Sequence, residues 1–197
     1  MILKEMKPNK AKPLYGLVLG GGLSSRMGKD KGHLNYHGQP QRDYVFKLLE
    51  KFCDRVYYSA NAQAISDNNT IKDAYPFQGP LNGILSAFKF QSDVAWLTVP
   101  IDMPFVDESI IQFLIDHRDV SRVATCFYDA EGKLPEPLLT VWEPHSANLL
   151  KAFYEEGKIS PREFLRTSNT QLLHTPDKRA LKNVNTPNDL DEFLKMK

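Results

Sequence analysis

The stretch LYGLVLGGG, Leu14 to Gly22, decides how this chain is read: a short, largely apolar run leads straight into three glycines. The run has no two-residue alternation, which suits a strand covered on both faces, as in a parallel sheet flanked by helices. The same pattern recurs downstream. Tyr44 to Phe52 carries apolar positions at helical spacing, and RVYYSA at Arg55 to Ala60 reads as a second strand. Thr70 to Asp73 reads as a short third strand. GPLNGILSAFKF, Gly79 to Phe90, sets Ile84, Leu85 and Phe88 on one helical face, and DVAWLTVP, Asp93 to Pro100, is again a buried strand. A helix is expected after Asp107, strands over Arg122 to Tyr128 and Leu138 to Trp142, and a helix from about Pro144 to Glu156. A short helix opened by Ser160-Pro161 and a closing helix after Thr186-Pro187 complete the pattern. Such alternation predicts an α/β fold: a Rossmann-like three-layer sandwich with a mostly parallel sheet, binding ligands beyond the carboxyl ends of its strands.

Composition narrows the partners. At 197 residues the chain can close a hydrophobic core as one domain, expected over residues 14–197. Residues 1–13, with Lys4, Lys7, Lys10, Lys12, Pro8 and Pro13, are expected to form a mobile basic arm. A formal charge of +1 argues against a nucleic-acid partner. No segment reaches the ~18 uninterrupted apolar residues of a membrane span. The two cysteines, Cys53 and Cys126, support neither a disulfide framework nor a thiolate cluster, and the N-terminal residues lack a signal peptide's apolar core. A cytoplasmic location is expected.

LGGGLSSRMGKDKG, Leu19 to Gly32, places glycines at a strand end and then supplies Arg26, Lys29 and Lys31. Backbone N–H groups and cations meet there, the two devices that hold a polyphosphate. A dinucleotide fingerprint would need glycine where Ser25 stands, and a Walker A loop would need Ser or Thr where Asp30 stands. Both familiar loops are excluded. In WLTVPIDMPF, Trp96 to Phe105, the carboxylate of Asp102 follows a buried strand and lies between two prolines. Magnesium takes one or two carboxylates plus phosphates and waters, so Asp102 is the candidate ligand. Asp107 reads better as a helix cap. GPLNG, Gly79 to Gly83, opens a helix and offers a flat wall for a base, and Asp73, just ahead of it, offers acceptor oxygens to a base or ribose. In NVNTPNDLDEF, Asn183 and Asn185 alternate onto one side of an extended segment, where two amides either bind substrate or join a capping network. The five histidines have no ligand spacing.

The order LGGGLSSRMGKDKG, GPLNG, PIDMP, NVNTPNDL resembles the molybdenum cofactor guanylyltransferase family, within the NTP-transferase-like enzymes, over roughly Leu14 to Phe193. The first motif, G-G-x-S-x-R-M-G-x-D-K, is met by Gly21 to Lys31. The resemblance implies a nucleotidyltransferase domain that takes GTP and Mg2+, transfers GMP to molybdenum-bearing molybdopterin and releases pyrophosphate. By motif position it implies GTP contacts from Leu19, Gly20, Gly21, Lys31, Asp73 and Asp102, magnesium on Asp102, catalytic roles for Lys31, Asp102 and Arg26, and Asn183 and Asn185 on the pterin side. Delivery proteins for molybdoenzymes are possible partners in the same reading. Two positions depart from the family: the loop begins L-G-G-G rather than L-A-G-G, and Ser59 stands where an asparagine is usual. The alternatives are a cytidylyltransferase or sugar-phosphate nucleotidyltransferase of the same fold, and a nucleotide-binding regulator without catalysis.

Overall fold

A computed structural model describes residues 12–20, 38–62, 68–184 and 189. Most of the expected arm lies outside these residues, and so does the closing helix apart from Asp189. In chain order the elements are β1 (Leu14–Leu19), α1 (Gln41–Glu50), β2 (Arg55–Ala60), β3 (Thr70–Lys72), α2 (Pro80–Phe90), β4 (Ala95–Pro100), α3 (Glu108–Asp116) and β5 (Ala124–Tyr128). Then come β6 (Pro135–Trp142), α4 (Ser146–Glu155), α5 (Pro161–Thr167), β7 (Thr170–Leu173) and a 3-10 turn over Lys178–Leu181.

Among the described residues seven strands form one sheet in the order β3-β2-β1-β4-β6-β5-β7. Every neighbouring pair is parallel except those made by β6, which runs antiparallel to both β4 and β5. Helices cover both faces. Val45, Leu48 and Leu49 of α1 pack with Ile110, Ile111 and Leu114 of α3 against Leu14, Val18, Leu97 and Val99. On the other face Leu81, Ile84 and Leu85 of α2, Leu150 of α4 and Phe164 of α5 pack on Leu17, Trp96 and Trp142. Successive residues of β1 thus feed opposite layers, which explains the unbroken apolar run. Burial of this kind stabilises the fold by about 1.5–3 kcal/mol per large apolar side chain.

The three-layer α/β sandwich expected from the alternation is therefore present, with corrected edges. β6 starts at Pro135 rather than Leu138, β5 at Ala124 rather than Arg122, and β7 and the 3-10 turn were not anticipated. Asp107 caps α3: its Oδ1 accepts the Ile110 N–H at 3.1 Å.

The topology locates the cleft. From β1 the chain winds outward through β2 and β3, then returns to the other side of β1 as β4. The connection from β1 runs to one side along the sheet and that from β4 to the other, so their adjacent carboxyl ends form the switch point where open α/β sheets bind ligands.

Candidate active site

Leu19 and Pro100 are paired partners at the ends of β1 and β4. The Ile101 N–H continues this pairing by donating to the Leu19 carbonyl at 3.0 Å, and Gly20 lies against the Ile101 side chain. The start of the glycine loop is thereby fixed beside the segment carrying Asp102, which is half-buried at the switch point. Two motifs far apart in sequence meet because their strands are neighbours.

GPLNG is the second wall. Gly79 has φ +124°, a left-handed value that glycine adopts without strain, and Pro80 follows at the first helical position. Gly83 sits so close to β2 that a Cβ there would collide with Ser59 Oγ and stand 3.3 Å from Leu19 Cδ2. Fully buried Asn82 donates from its amide to the carbonyls of Tyr75 (2.8 Å) and Phe77 (2.5 Å). Ser86 Oγ accepts the Ala74 N–H at 2.9 Å. The loop from Asp73 to Gly79 is thus clipped onto α2. Asp73 itself donates its N–H to the Ala60 carbonyl at 2.8 Å, and burial holds its carboxyl above the ordinary carboxylate range. A carboxylate short of water gains more from ligand donors than an exposed one does.

The C-terminal segment reaches the same edge. The Val184 N–H donates to the Asp102 carbonyl at 2.7 Å, and buried Val184 anchors the exposed residue Asn183 next to it. The structure brings Leu19, Gly20, Asp102 and Asn183 to one strand-end edge, with Asp73 at the end of β3. Gly21, Arg26, Lys31 and Asn185 lie outside the described residues.

One acidic residue escaped the sequence reading. Glu136 is buried at the start of antiparallel β6, and a β6 start lies at the edge where its parallel neighbours end. Its Oε1 accepts the Leu138 N–H at 3.0 Å, and its Oε2 lies 3.7 Å from Arg162. Burial raises its pKa above the ordinary range, the Leu138 N–H and Arg162 oppose the rise, and the negative charges of Asp102 and Asp129 add to it. Among the described residues no three His, Cys, Asp or Glu side chains converge as a closed metal cage. A single carboxylate with open positions around it, rather than a closed cage, suits magnesium, and the chemistry of Asp102 fits that role.

A doubly wound sheet with a glycine loop and a carboxylate at its switch point has the architecture of a nucleotidyltransferase, and similarity to known proteins agrees. Residues 16–174 match the family model of the MobA-like NTP transferase domain, and the chain belongs to that family. It is 34% identical over 186 residues to a molybdenum cofactor biosynthesis bifunctional protein of Synechocystis, covering 92% of this chain and 54% of that protein, so it spans about half of that relative's length. It is 28% identical over 193 residues to a molybdenum cofactor guanylyltransferase of Pseudomonas paraeruginosa, covering 94% and 96% of the two chains. The fold matches a crystal structure of molybdopterin-guanine dinucleotide biosynthesis protein A from Archaeoglobus fulgidus with a TM-score of 0.75, at 22% identity, covering 92% of this chain and 97% of that one. The chain is a nucleotidyltransferase by family. No helix among the described residues is long and apolar enough to cross a membrane.

Proposed function

We propose that the protein transfers GMP from GTP to the phosphate of molybdenum-bearing molybdopterin, forming the guanine dinucleotide cofactor and pyrophosphate. The observation that carries this reading is the fixed juxtaposition of Leu19-Gly20 with Ile101-Asp102 at the switch point, in a chain whose loop continues as G-G-x-S-x-R-M-G-x-D-K. The guanylyltransferase names of full-length relatives support the choice of nucleotide and acceptor.

In this mechanism an oxygen of the ionised acceptor phosphate attacks the α-phosphorus of GTP, the bond from that phosphorus to the bridging α–β oxygen breaks, and pyrophosphate leaves with the electron pair. The acceptor is already a nucleophile, so no general base is needed. Nucleotidyl transfer asks chiefly for positioning and charge neutralisation. The Gly20-Gly21 backbone, Arg26 and Lys31 supply these to the triphosphate. Asp102 would hold Mg2+, which supplies charge stabilisation to the phosphate oxygens. Asp73 accepts from the base or ribose, while Asn183 and Asn185 face the pterin. Action in the cytoplasm and transfer of the product to delivery proteins belong to the same reading.

The test is a panel of GTP, CTP and ATP with molybdopterin as acceptor, scored by pyrophosphate release. GTP should give the highest kcat/KM, since a hydrogen-bonding pocket rejects a base that leaves its groups unpaired by up to roughly 10⁴-fold. A CTP preference would make the protein a cytidylyltransferase instead. Tight GTP binding without pyrophosphate release would make it a regulator.

A further inference from the structure

The edge beside Asp102 holds a charged pair that neither the sequence motifs nor the nucleotide contacts account for: Glu136 and Arg162. Strand direction, a bulge and the hydrogen bonds that fix it position Glu136. The β4–β6 register pairs Trp96 with Trp142, Leu97 with Val141 and Thr98 with Thr140. The ladder thus runs β6 back toward the end of β4, and the charge of Asp102 is felt at Glu136. Along β6 the pairing with β5 is irregular between Cys126 and Tyr128, whose partners are Thr140 and Pro135, so the residues around Glu136 bulge out of the ladder. Bulges re-aim side chains and are enriched next to active sites. Finally, a buried polar ladder fixes the bulge: Trp142 Nε1–H donates to Thr98 Oγ1 (3.1 Å), Thr98 Oγ1–H to the Thr140 carbonyl (3.2 Å), and Thr140 Oγ1–H to the Glu136 carbonyl (2.9 Å). A fully connected buried network of this kind specifies one backbone geometry.

Glu136 is thus a rigid anion with both carboxylate oxygens facing donors, Leu138 N–H on one and the guanidinium on the other. That arrangement suits holding a cation better than ligating a metal. Arg162 is the exposed partner. Its side chain is 42% exposed and its contact to Glu136 is long at 3.7 Å, so donors of its planar fork remain available. Asp129, at the carboxyl end of β5, feels the same guanidinium. Arg162 therefore stands beside two carboxylates at the β5–β6 side of the sheet.

We propose that Arg162, positioned by Glu136, binds the phosphomonoester of the acceptor. A guanidinium fork takes two phosphate oxygens at once, and the contact to Glu136 holds that fork at the strand-end edge. This inference rests on the nucleotidyl-transfer reading of the same edge and assigns it an acceptor side.

The test measures binding without turnover, by calorimetry with molybdopterin and with its dephosphorylated form, for wild type, Arg162→Gln, Arg162→Lys and Glu136→Gln, each first shown folded by its thermal transition. Wild type should bind the phosphorylated form about tenfold or more tighter, the scale of a charge-assisted bidentate contact. Arg162→Gln should erase that preference and leave GTP affinity unchanged, Arg162→Lys should restore part of it, and Glu136→Gln should reduce it by roughly threefold. In steady state the KM for the acceptor should rise in the same order while the KM for GTP stays fixed. An undiminished phosphate preference in Arg162→Gln, or an equal loss of GTP affinity, would overturn the assignment. A wild type that shows the Arg162-dependent preference but forms no dinucleotide would sink the transfer reading and leave the acceptor subsite standing.

Discussion

Gly83 of α2 and Ser59 of β2 touch where the helix start crosses the strand end, with no room between them for a methyl group. This contact joins GPLNG to the edge that carries Leu19. Gly83→Ala should therefore destabilise the fold by about 1–3 kcal/mol, the usual cost of overpacking, despite the better helix propensity of alanine. Ser59→Ala removes the colliding hydroxyl and should recover part of that loss in the double variant. Urea denaturation of the four proteins gives the coupling energy. Additive effects would mean that the strain lies elsewhere.

Asp102→Asn keeps the size of the side chain and removes its charge. Transfer should fall by about a hundredfold or more, the scale of a lost electrostatic contact in a transition state, with an unchanged circular dichroism spectrum. Near-normal turnover at ordinary magnesium would rule Asp102 out as the metal ligand.

Lys31→Met should slow transfer and raise the GTP requirement, while Lys29→Met should do much less, because the loop motif specifies lysine at 31 and leaves 29 open. Single-turnover kinetics of the two variants decide it. Equal losses would reduce the loop to a basic patch.

Burial, with Asp54 nearby, pushes the Cys53 thiol up to about 12, and deeper burial pushes Cys126 further in the same direction. At pH 8 a free thiol is partly thiolate, whereas these two stay protonated. A thiol-reactive disulfide reagent at pH 8 should label the native protein slowly and the urea-unfolded protein fast at both cysteines. Rapid native labelling would contradict the packing of α1 on β1, where Cys53 Sγ lies beside Gly16.

Glu136 has a folded-state pKa above its ordinary value, chiefly through burial. Its protonated form favours folding, so its contribution is fully present below the unfolded pKa and is lost as pH rises through the raised folded value. Where Glu136 is ionised its charge weakens the fold. Glu136→Gln should therefore melt no lower than wild type at pH 7, with the difference shrinking toward pH 4.5. A clearly lower melting temperature at pH 7 would mean that the pair with Arg162 outweighs desolvation.

The core strands were legible because a strand covered by helices on both faces is apolar at nearly every position, as LYGLVL and, apart from Thr98, AWLTVP are. Asp107 was legible as a cap because its chemistry is local. β7 was not: its four residues are all half-buried, so TQLL shows neither an apolar run nor alternation. Glu136 was hidden for a different reason. Pro135 and Pro137 flank it, and prolines argue against a central strand, yet β6, expected from Leu138, begins at Pro135. The bulge tolerates them. A signal was nonetheless present, since P-E-P ahead of a buried strand mirrors P-I-D-M-P after one, an acid held between prolines in both cases.

The reversed direction of β6 also decides where the molecule can change without harm. The turn linking β5 to β6, residues 129–134, is a self-contained hairpin: Asp129 Oδ1 accepts the N–H groups of Lys133 and Leu134, and Gly132 takes φ +73°. Its Asp129 is coupled in charge to Glu136 and Arg162, and it takes no part in the β1–β4 junction. On the acceptor assignment proposed above, a longer loop at this hairpin changes which acceptor is taken and leaves the nucleotide end of the reaction untouched.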